Sequence, residues 1–330
     1  MRIESSAISV SWIPSEAIGG LPKLPLDLGV MHHDAPPPDS IDDLAALAEA
    51  GAFRFANELR AWIEVEDGRI VDRGQTGRGH IASTVLQLGS RSAAFPAVAF
   101  PDLRPEPVVS ATSVRFVQTS GGRTGVPAPR TVKRPPFVQF AAPTAWTTLA
   151  LTLHADGSSE YEVVGASPFP RHWIYDSTGR LVAKTGTIDF REWYHSAFGL
   201  HTPWGDEDSP ALVTVAETAL ERELSVAIMQ KGPKPEVVSV RPGDVLVEQG
   251  ATGDELFVLL DGVLVVEVDG QQVAEVGPGA VLGERARLEG GTRTSTLRAV
   301  TRCKVAATSA DHIDLTALSE LTLGHRREEQ

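Results

Sequence analysis

The sequence predicts an α+β, mainly β fold in two parts, a β-rich amino-terminal domain of unassigned topology and a carboxy-terminal β-roll or small barrel with flanking helices. Three observations predict it. Strand-like runs joined by turn dipeptides dominate the first two thirds, and a denser series of short apolar strands between glycine turns follows residue 235. All six tryptophans lie at or before Trp204. Between the two parts, residues 210–229 carry Leu212, Ala216, Ala219, Leu220, Ala227 and Ile228 near helical spacing, and QKGPKP ends that run with a glycine and two prolines. The expected domains are therefore 1–230, ending in that helix, and 231–330.

Within the first domain, SIDDLAALAEAGAF reads as a helix in which Ser40 can cap, Asp42 and Asp43 suit the first turn and Gly51 ends the run. Hairpins are expected at Asp67-Gly68, Asp156-Gly157 and Thr178-Gly179. The proline-rich spans 35–38 and 125–136 read as extended loops, and SGGRTG, Ser120 to Gly125, reads as a turn. In the second domain DELFVLL, VLVVEVD and QQVAEV are separated by Asp261-Gly262 and Asp269-Gly270, with further turns at RPGD, EQGATGD and GPGA. Short strands joined this way close into a roll, not a parallel sheet.

Composition narrows the function. The chain has 330 residues, 42% hydrophobic and 22% charged, as in folded soluble proteins. A formal net charge of -13 argues against a large nucleic-acid footprint. Cys303 is the single cysteine, which excludes an internal disulfide and fits a reducing compartment; the localisation read from this is cytoplasmic. The amino end lacks the apolar core of a signal peptide, and no stretch approaches the roughly 20 apolar residues that span a bilayer, so no membrane partner is expected.

The stretch LGERARLEGGTRTSTLRA, Leu282 to Ala299, carries the most chemistry. If Leu282 ends a strand and Glu284 to Leu288 form a helical turn, the first amides of that turn face outward and attract phosphate. Arg293 adds a charge-assisted, bidentate contact to the same phosphate. Glu284 repels phosphate but accepts from a neutral hydroxyl, so the pair suits a phosphate beside a sugar.

This pattern, with the framework PGD...QG..GDELFVLLDGVLVVEVDG...AEVGPGA.LGERA and the following RTSTLRA, resembles the cyclic nucleotide-binding domains of cAMP receptor proteins, protein-kinase regulatory subunits and cyclic-nucleotide-gated channels. The resemblance covers about Val237 to Glu320. It implies a ligand site of Gly283, Glu284, Arg285, Ala286, Arg293, Thr294 and Ser295. Glu284 would hold the ribose 2'-hydroxyl and Arg293 the cyclic phosphate, with the amides of Ala286 and Thr294 completing the cradle. Gly243, Gly250, Gly262 and Gly279 would be turn glycines. The ligand would be cAMP or cGMP as a regulator, with no metal. Thr294 after Arg293 resembles the arrangement in cGMP-dependent kinases. Arg285 and Arg287 depart from the family, which often has aliphatic residues there, and read as solvated. The tail SADHIDLTALSELTLGHRREEQ, with Ile313, Leu315, Leu318 and Leu321 on one side, would be the lid or transmitter. No helix-turn-helix follows it, so the arrangement of the classical cAMP-responsive transcription factors is not expected.

The expectation is a receptor whose roll passes ligand occupancy through the 210–230 helix to an amino-terminal effector domain, with no catalytic residues assigned. A homodimer or another protein partner is compatible with it. Two other readings stay open. In one the amino-terminal domain is an enzyme regulated by the roll, on the polar clusters His195, His201, Asp206, Glu207, Asp208 and His32, His33, Asp34, neither of which has the spacing of a zinc motif. In the other the roll is a scaffold or oligomerisation module that binds no nucleotide. Cys303 reads as a buried thiol in a strand.

Overall fold

The computed structural model describes residues 1–14, 18, 35–88, 91–132, 135–186, 188–189, 211–230, 235–288, 290–309, 313, 316 and 318–322. His32, His33, Asp34, His195, His201, Asp206, Glu207 and Asp208 lie outside the described residues. The chain divides into two compact units, one of 1–182 with 188–211 and one of 183–187 with 212–330. The helix expected to close the first domain belongs to the second unit.

The first unit is β-rich. One sheet runs through β7 (Arg171–Tyr175), β1 (Arg2–Trp12), β2 (Phe55–Glu66) and β3 (Arg69–Thr76) in that order. The other contains β6 (Ser159–Ala166), β5 (Thr144–His154) and β4 (Ser113–Arg123). β5 packs on β1 and β2. Asp67 and Gly68, both at positive φ, turn β2 into β3 as the dipeptide requires. The helix α1 is shorter than expected, Leu44–Glu49, and Asp43 caps it in place of Ser40, accepting from the amides of Ala45 and Ala46 at 2.9 and 3.0 Å. SGGRTG is largely strand, not turn: Ser120 to Arg123 end β4. A Cβ on Gly121 would lie 2.5 Å from the Ala145 carbonyl and from Cβ of Trp146, so glycine allows the neighbouring strand to approach.

The interior of this unit mixes apolar and polar groups. Trp12 and Trp173 meet edge to face at 5.5 Å between ring centroids. The Ser9 and Thr147 hydroxyls are 2.7 Å apart, and the Gln118 amide donates to Asn57 Oδ1 at 2.9 Å. His172 is fully buried, with Nδ1 2.5 Å from the Ser11 hydroxyl and Nε2 3.1 Å from the Ser167 carbonyl, partners that suit a neutral ring protonated at Nε2. Burial pushes its pKa down from 6.5 to about 4. Between those values the unfolded chain binds the proton and the folded one does not. His172 therefore contributes full stability above pH 6.5 and loses it as pH falls toward 4, on the order of 3 kcal/mol in all. Urea unfolding from pH 7 to pH 4 is expected to show this loss in the difference between the wild type and His172→Gln.

The second unit contains the roll. One four-stranded sheet has the order β10 (Glu236–Val240), β17 (Cys303–Ser309), β12 (Glu255–Asp261) and β15 (Val281–Leu282). The other has the order β11 (Val245–Val247), β16 (Thr296–Ala299), β13 (Leu264–Val268) and β14 (Gln271–Val276). Their inner faces close over Val240, Phe257, Leu259, Leu264, Leu297 and Val305. Cys303 is buried among them, its thiol donating to the Val263 carbonyl at 3.3 Å, and burial raises its pKa. It is an inert core thiol.

Upstream of the roll the structure corrects the expected 210–229 helix. The chain is a strand over Val213–Val215, β9, which pairs with Ala183 to Thr185 at the end of β8 (Leu181–Thr185). The helix α2 starts only at Ala219 and runs to Gln230. Thr218 and Glu221 explain the start. The Glu221 amide donates to the Thr218 hydroxyl at 3.2 Å and the Thr218 amide donates to the Glu221 carboxylate at 2.8 Å, a reciprocal capping box. Leu224 and Ile228 then pack with Leu256, Val258, Val281, Leu318 and Leu321.

Candidate functional site

The helical turn expected after Leu282 is present as α3, Glu284–Leu288. Gly283, at φ +90°, turns the chain from β15 into it. The buried residues of α3 are Glu284, 5% exposed, and Ala286, 1%. After α3 the chain reverses at Gly290 and Gly291, where the Gly291 amide donates to the Ala286 carbonyl at 2.7 Å. Arg293 is then fixed by main-chain pairing: its amide donates to Ala251 O at 2.8 Å, and its carbonyl accepts from the Gly250 amide at 2.8 Å.

The Arg293 side chain is only 5% exposed. Nη1 donates to the Glu255 carbonyl at 2.8 Å, and the guanidinium lies 5.0 Å from the Phe257 ring centroid, a cation–π contact. Burial lowers its pKa from the ordinary arginine value, and the charges of Glu255 and Asp254 oppose that shift. Arginine stays cationic under these conditions. The site therefore holds a preorganised, partly desolvated positive charge.

These residues line one cavity of about 380 Å³, within the roughly 300–1,000 Å³ of small-ligand sites. Gly283, Glu284, Arg285, Ala286, Arg293, Thr294 and Ser295 all contribute to its wall. Arg285 faces the cavity rather than standing apart from it. Arg287 does not line it and pairs with Asp254 at 3.6 Å on the surface. Val247, Val266, Val268, Val273 and Val276 of the roll give the wall an aliphatic part, with Glu275 beside them. Sequence reasoning missed a further wall. Val215, Ala216, Glu217, Thr218 and Glu221, from the end of β9 and the start of α2, also line the cavity. The Thr218-x-x-Glu221 pair was the signal that a helix begins there.

Residues 237–316 match the family model described as Cyclic nucleotide-binding domain. This segment is a cyclic nucleotide-binding domain. The chain is 28% identical over 114 residues to Potassium/sodium hyperpolarization-activated cyclic nucleotide-gated channel 3 of Homo sapiens, a match that takes in 34% of this chain and 13% of the channel. Channel 4 of the same series, from Oryctolagus cuniculus, is 30% identical over 74 residues, or 22% of this chain and 6% of that one. The chain thus spans only a small part of these relatives. Among solved structures, the N-terminal domain of a transcriptional regulator from Streptomyces coelicolor A3(2) is 27% identical, with a TM-score of 0.26, covering 33% of this chain and 86% of that one. The regulatory domain of Toxoplasma gondii PKA with cAMP is 18% identical, with a TM-score of 0.28 over 37% of this chain and 63% of that one.

The tail expected as lid or transmitter is described at Ser309, Ile313, Thr316 and residues 318–322. Among the described residues, none after Leu297 lines the cavity. Leu318 and Leu321 are instead buried with Leu224 and Ile228 of α2, with Ile313 packed beside them. The tail residue Leu315 lies outside the described residues. No group of three or more metal-ligating side chains occurs among the described residues, and no helix there is long and apolar enough to cross a membrane.

Proposed function

We propose that this chain is a cytoplasmic cyclic-nucleotide receptor in which the cavity between α3 and the Arg293 loop binds cAMP or cGMP. The observation that carries the reading is Arg293, a residue 5% exposed on the wall of a cavity that the buried residue Glu284 also lines. A buried cation is costly to maintain without an anion to meet, and a cyclic phosphate supplies that anion in a planar, bidentate fit. Glu284 then accepts from the ribose 2'-hydroxyl, which carries no charge to repel it. The amides of Ala286 and Thr294 complete the phosphate contacts. Aliphatic walls suit the faces of a purine.

Ligand occupancy is transmitted upstream. The wall residues Val215 to Glu221 continue into α2, and the chain passes between the two units on either side of 183–187 and again at 211–212. Binding favours the arrangement of this segment that it contacts better, and the amino-terminal unit is the output.

Hydrogen exchange with saturating cAMP or cGMP tests both parts. The reading expects slower exchange over 283–297, and a change in either direction within residues 1–182. Unchanged exchange in 283–297 with both nucleotides would overturn the binding claim. Protection there with nothing altered in 1–182 would remove the transmission claim alone.

A further inference from the structure

The wall that sequence reasoning missed defines a role for one residue in it. We infer that the purine base of the bound nucleotide is covered by Val215, from the strand upstream of the roll. This inference rests on the proposed cyclic-nucleotide reading of the cavity.

Arg293, Ala286 and Thr294 take the phosphate and Glu284 takes the ribose, so the base meets the rest of the wall, where valines predominate beside Glu217, Thr218, Glu221 and Glu275. The roll supplies most of the apolar part, from Val247, Val266, Val268, Val273, Val276 and Leu297, and Val215 and Ala216 supply the apolar part upstream of the roll. Val215 is an apolar side chain 80% exposed, and Val273 on the same cavity is 42% exposed. Two exposed valines at one cavity are an unburied apolar surface, and a flat aromatic ring laid against them removes it from water.

Position matters as much as polarity, because a cap must be held in place. The backbone of Val215 is paired with Ala183 in the β8–β9 ladder, and β9 lies against β14. Two residues on, Glu217 forms ion pairs with Lys184 and, at 3.0 Å, with Arg222. The Lys184 and Glu217 side chains are 3% and 4% exposed, so this cluster is buried. The Glu217 carboxylate also sits directly on the Gly277-Pro278-Gly279 turn: a Cβ on Gly279 would lie 2.6 Å from its carboxyl carbon. A buried ion cluster of this kind fixes register because each charge is costly without the others. Val215 is thus held at the cavity by its neighbours on both sides, while its own side chain touches little.

The test is nucleotide affinity of the full chain carrying Val215→Asp, beside Val215→Ala and a control, Val237→Asp, at a residue 55% exposed on β10 and away from the cavity. The probe is whichever of cAMP or cGMP the wild type binds more tightly. The expected result is affinity weakened roughly tenfold or more by Val215→Asp, a smaller loss with Val215→Ala, and wild-type affinity for Val237→Asp. Thermal midpoints of the three empty variants should match the wild type, because an 80% exposed side chain contributes little to folding. Wild-type affinity in both Val215 variants would overturn the inference and leave the binding site intact. If Val215→Asp lowered the midpoint, Val215→Ala alone would decide the matter in the same way. Absence of nucleotide binding in the wild type would instead overturn the functional reading on which the inference rests.

Discussion

Arg293→Ala is expected to weaken cyclic-nucleotide binding by about 100- to 1,000-fold. The estimate follows from two hydrogen bonds to a charged partner at about 1.5–3 kcal/mol each, partly offset because the empty pocket no longer carries a desolvated guanidinium. That offset has its own observable. Burial disfavours the Arg293 charge in the folded chain, while its bond to the Glu255 carbonyl and its contact with the Phe257 ring favour it, so the variant without ligand should unfold within a small margin of the wild type. What it loses is the ligand-induced gain in stability, about 2.7 kcal/mol for the wild type at a nucleotide concentration of 100 Kd. Displacement of a fluorescent cyclic nucleotide measures the first effect and thermal unfolding with and without nucleotide measures the second. Arg287→Ala is the matched control: its partner Asp254 is exposed, and an affinity close to the wild type is expected.

Gly283→Ala is expected to damage both the fold and the site, by about 2–4 kcal/mol in the stability of the roll. Two costs add. The backbone at Gly283 has φ +90°, which any L side chain resists. A Cβ there would also lie 2.7 Å from Arg293 Nη1 and 2.7 Å from the Glu255 carbonyl, the two atoms that hydrogen-bond each other. The added methyl therefore pushes apart the contact that holds the guanidinium in place. Gly290→Ala separates the two costs. Gly290 has φ +93° with nothing within 4 Å of an added Cβ, so it should lose only the backbone share, about 1 kcal/mol, in urea unfolding. Nucleotide affinity should fall with Gly283→Ala and hold with Gly290→Ala.

The roll and its cassette were legible from sequence because their signals are local. Dipeptides such as Asp269-Gly270 fix a turn by backbone sterics, and Asp269 and Gly270 do adopt the positive φ that such a turn requires. Likewise Gly283, Glu284 and Arg293 lie within one short stretch, so their convergence needed only a helical turn and a reversal. The upstream wall was not legible for the opposite reason. Val213 to Val215 form a strand because Ala183 to Thr185 are there to pair with them, and the same apolar residues fit helical spacing equally well when read alone. The Glu217 cluster depends on Lys184, remote in sequence, and no local pattern announces such a partner. Ser120 to Arg123 illustrate the same limit, since glycines that mark a turn in isolation here let β4 pass close to β5. The polar interior around His172 and Asn57 was hidden too, because alternating serine and threonine on a strand look like a solvated face until the second sheet covers them.

The most direct test of the central claim, that the Arg293 cavity is a cyclic-nucleotide site, is titration calorimetry of the full chain freed of carried-over nucleotide, with cAMP and cGMP in separate experiments and Arg293→Ala alongside. The account predicts saturable binding at one site per chain for at least one of the two, reduced at least 100-fold in the variant. No binding of either nucleotide, or equal binding by the wild type and Arg293→Ala, would contradict it.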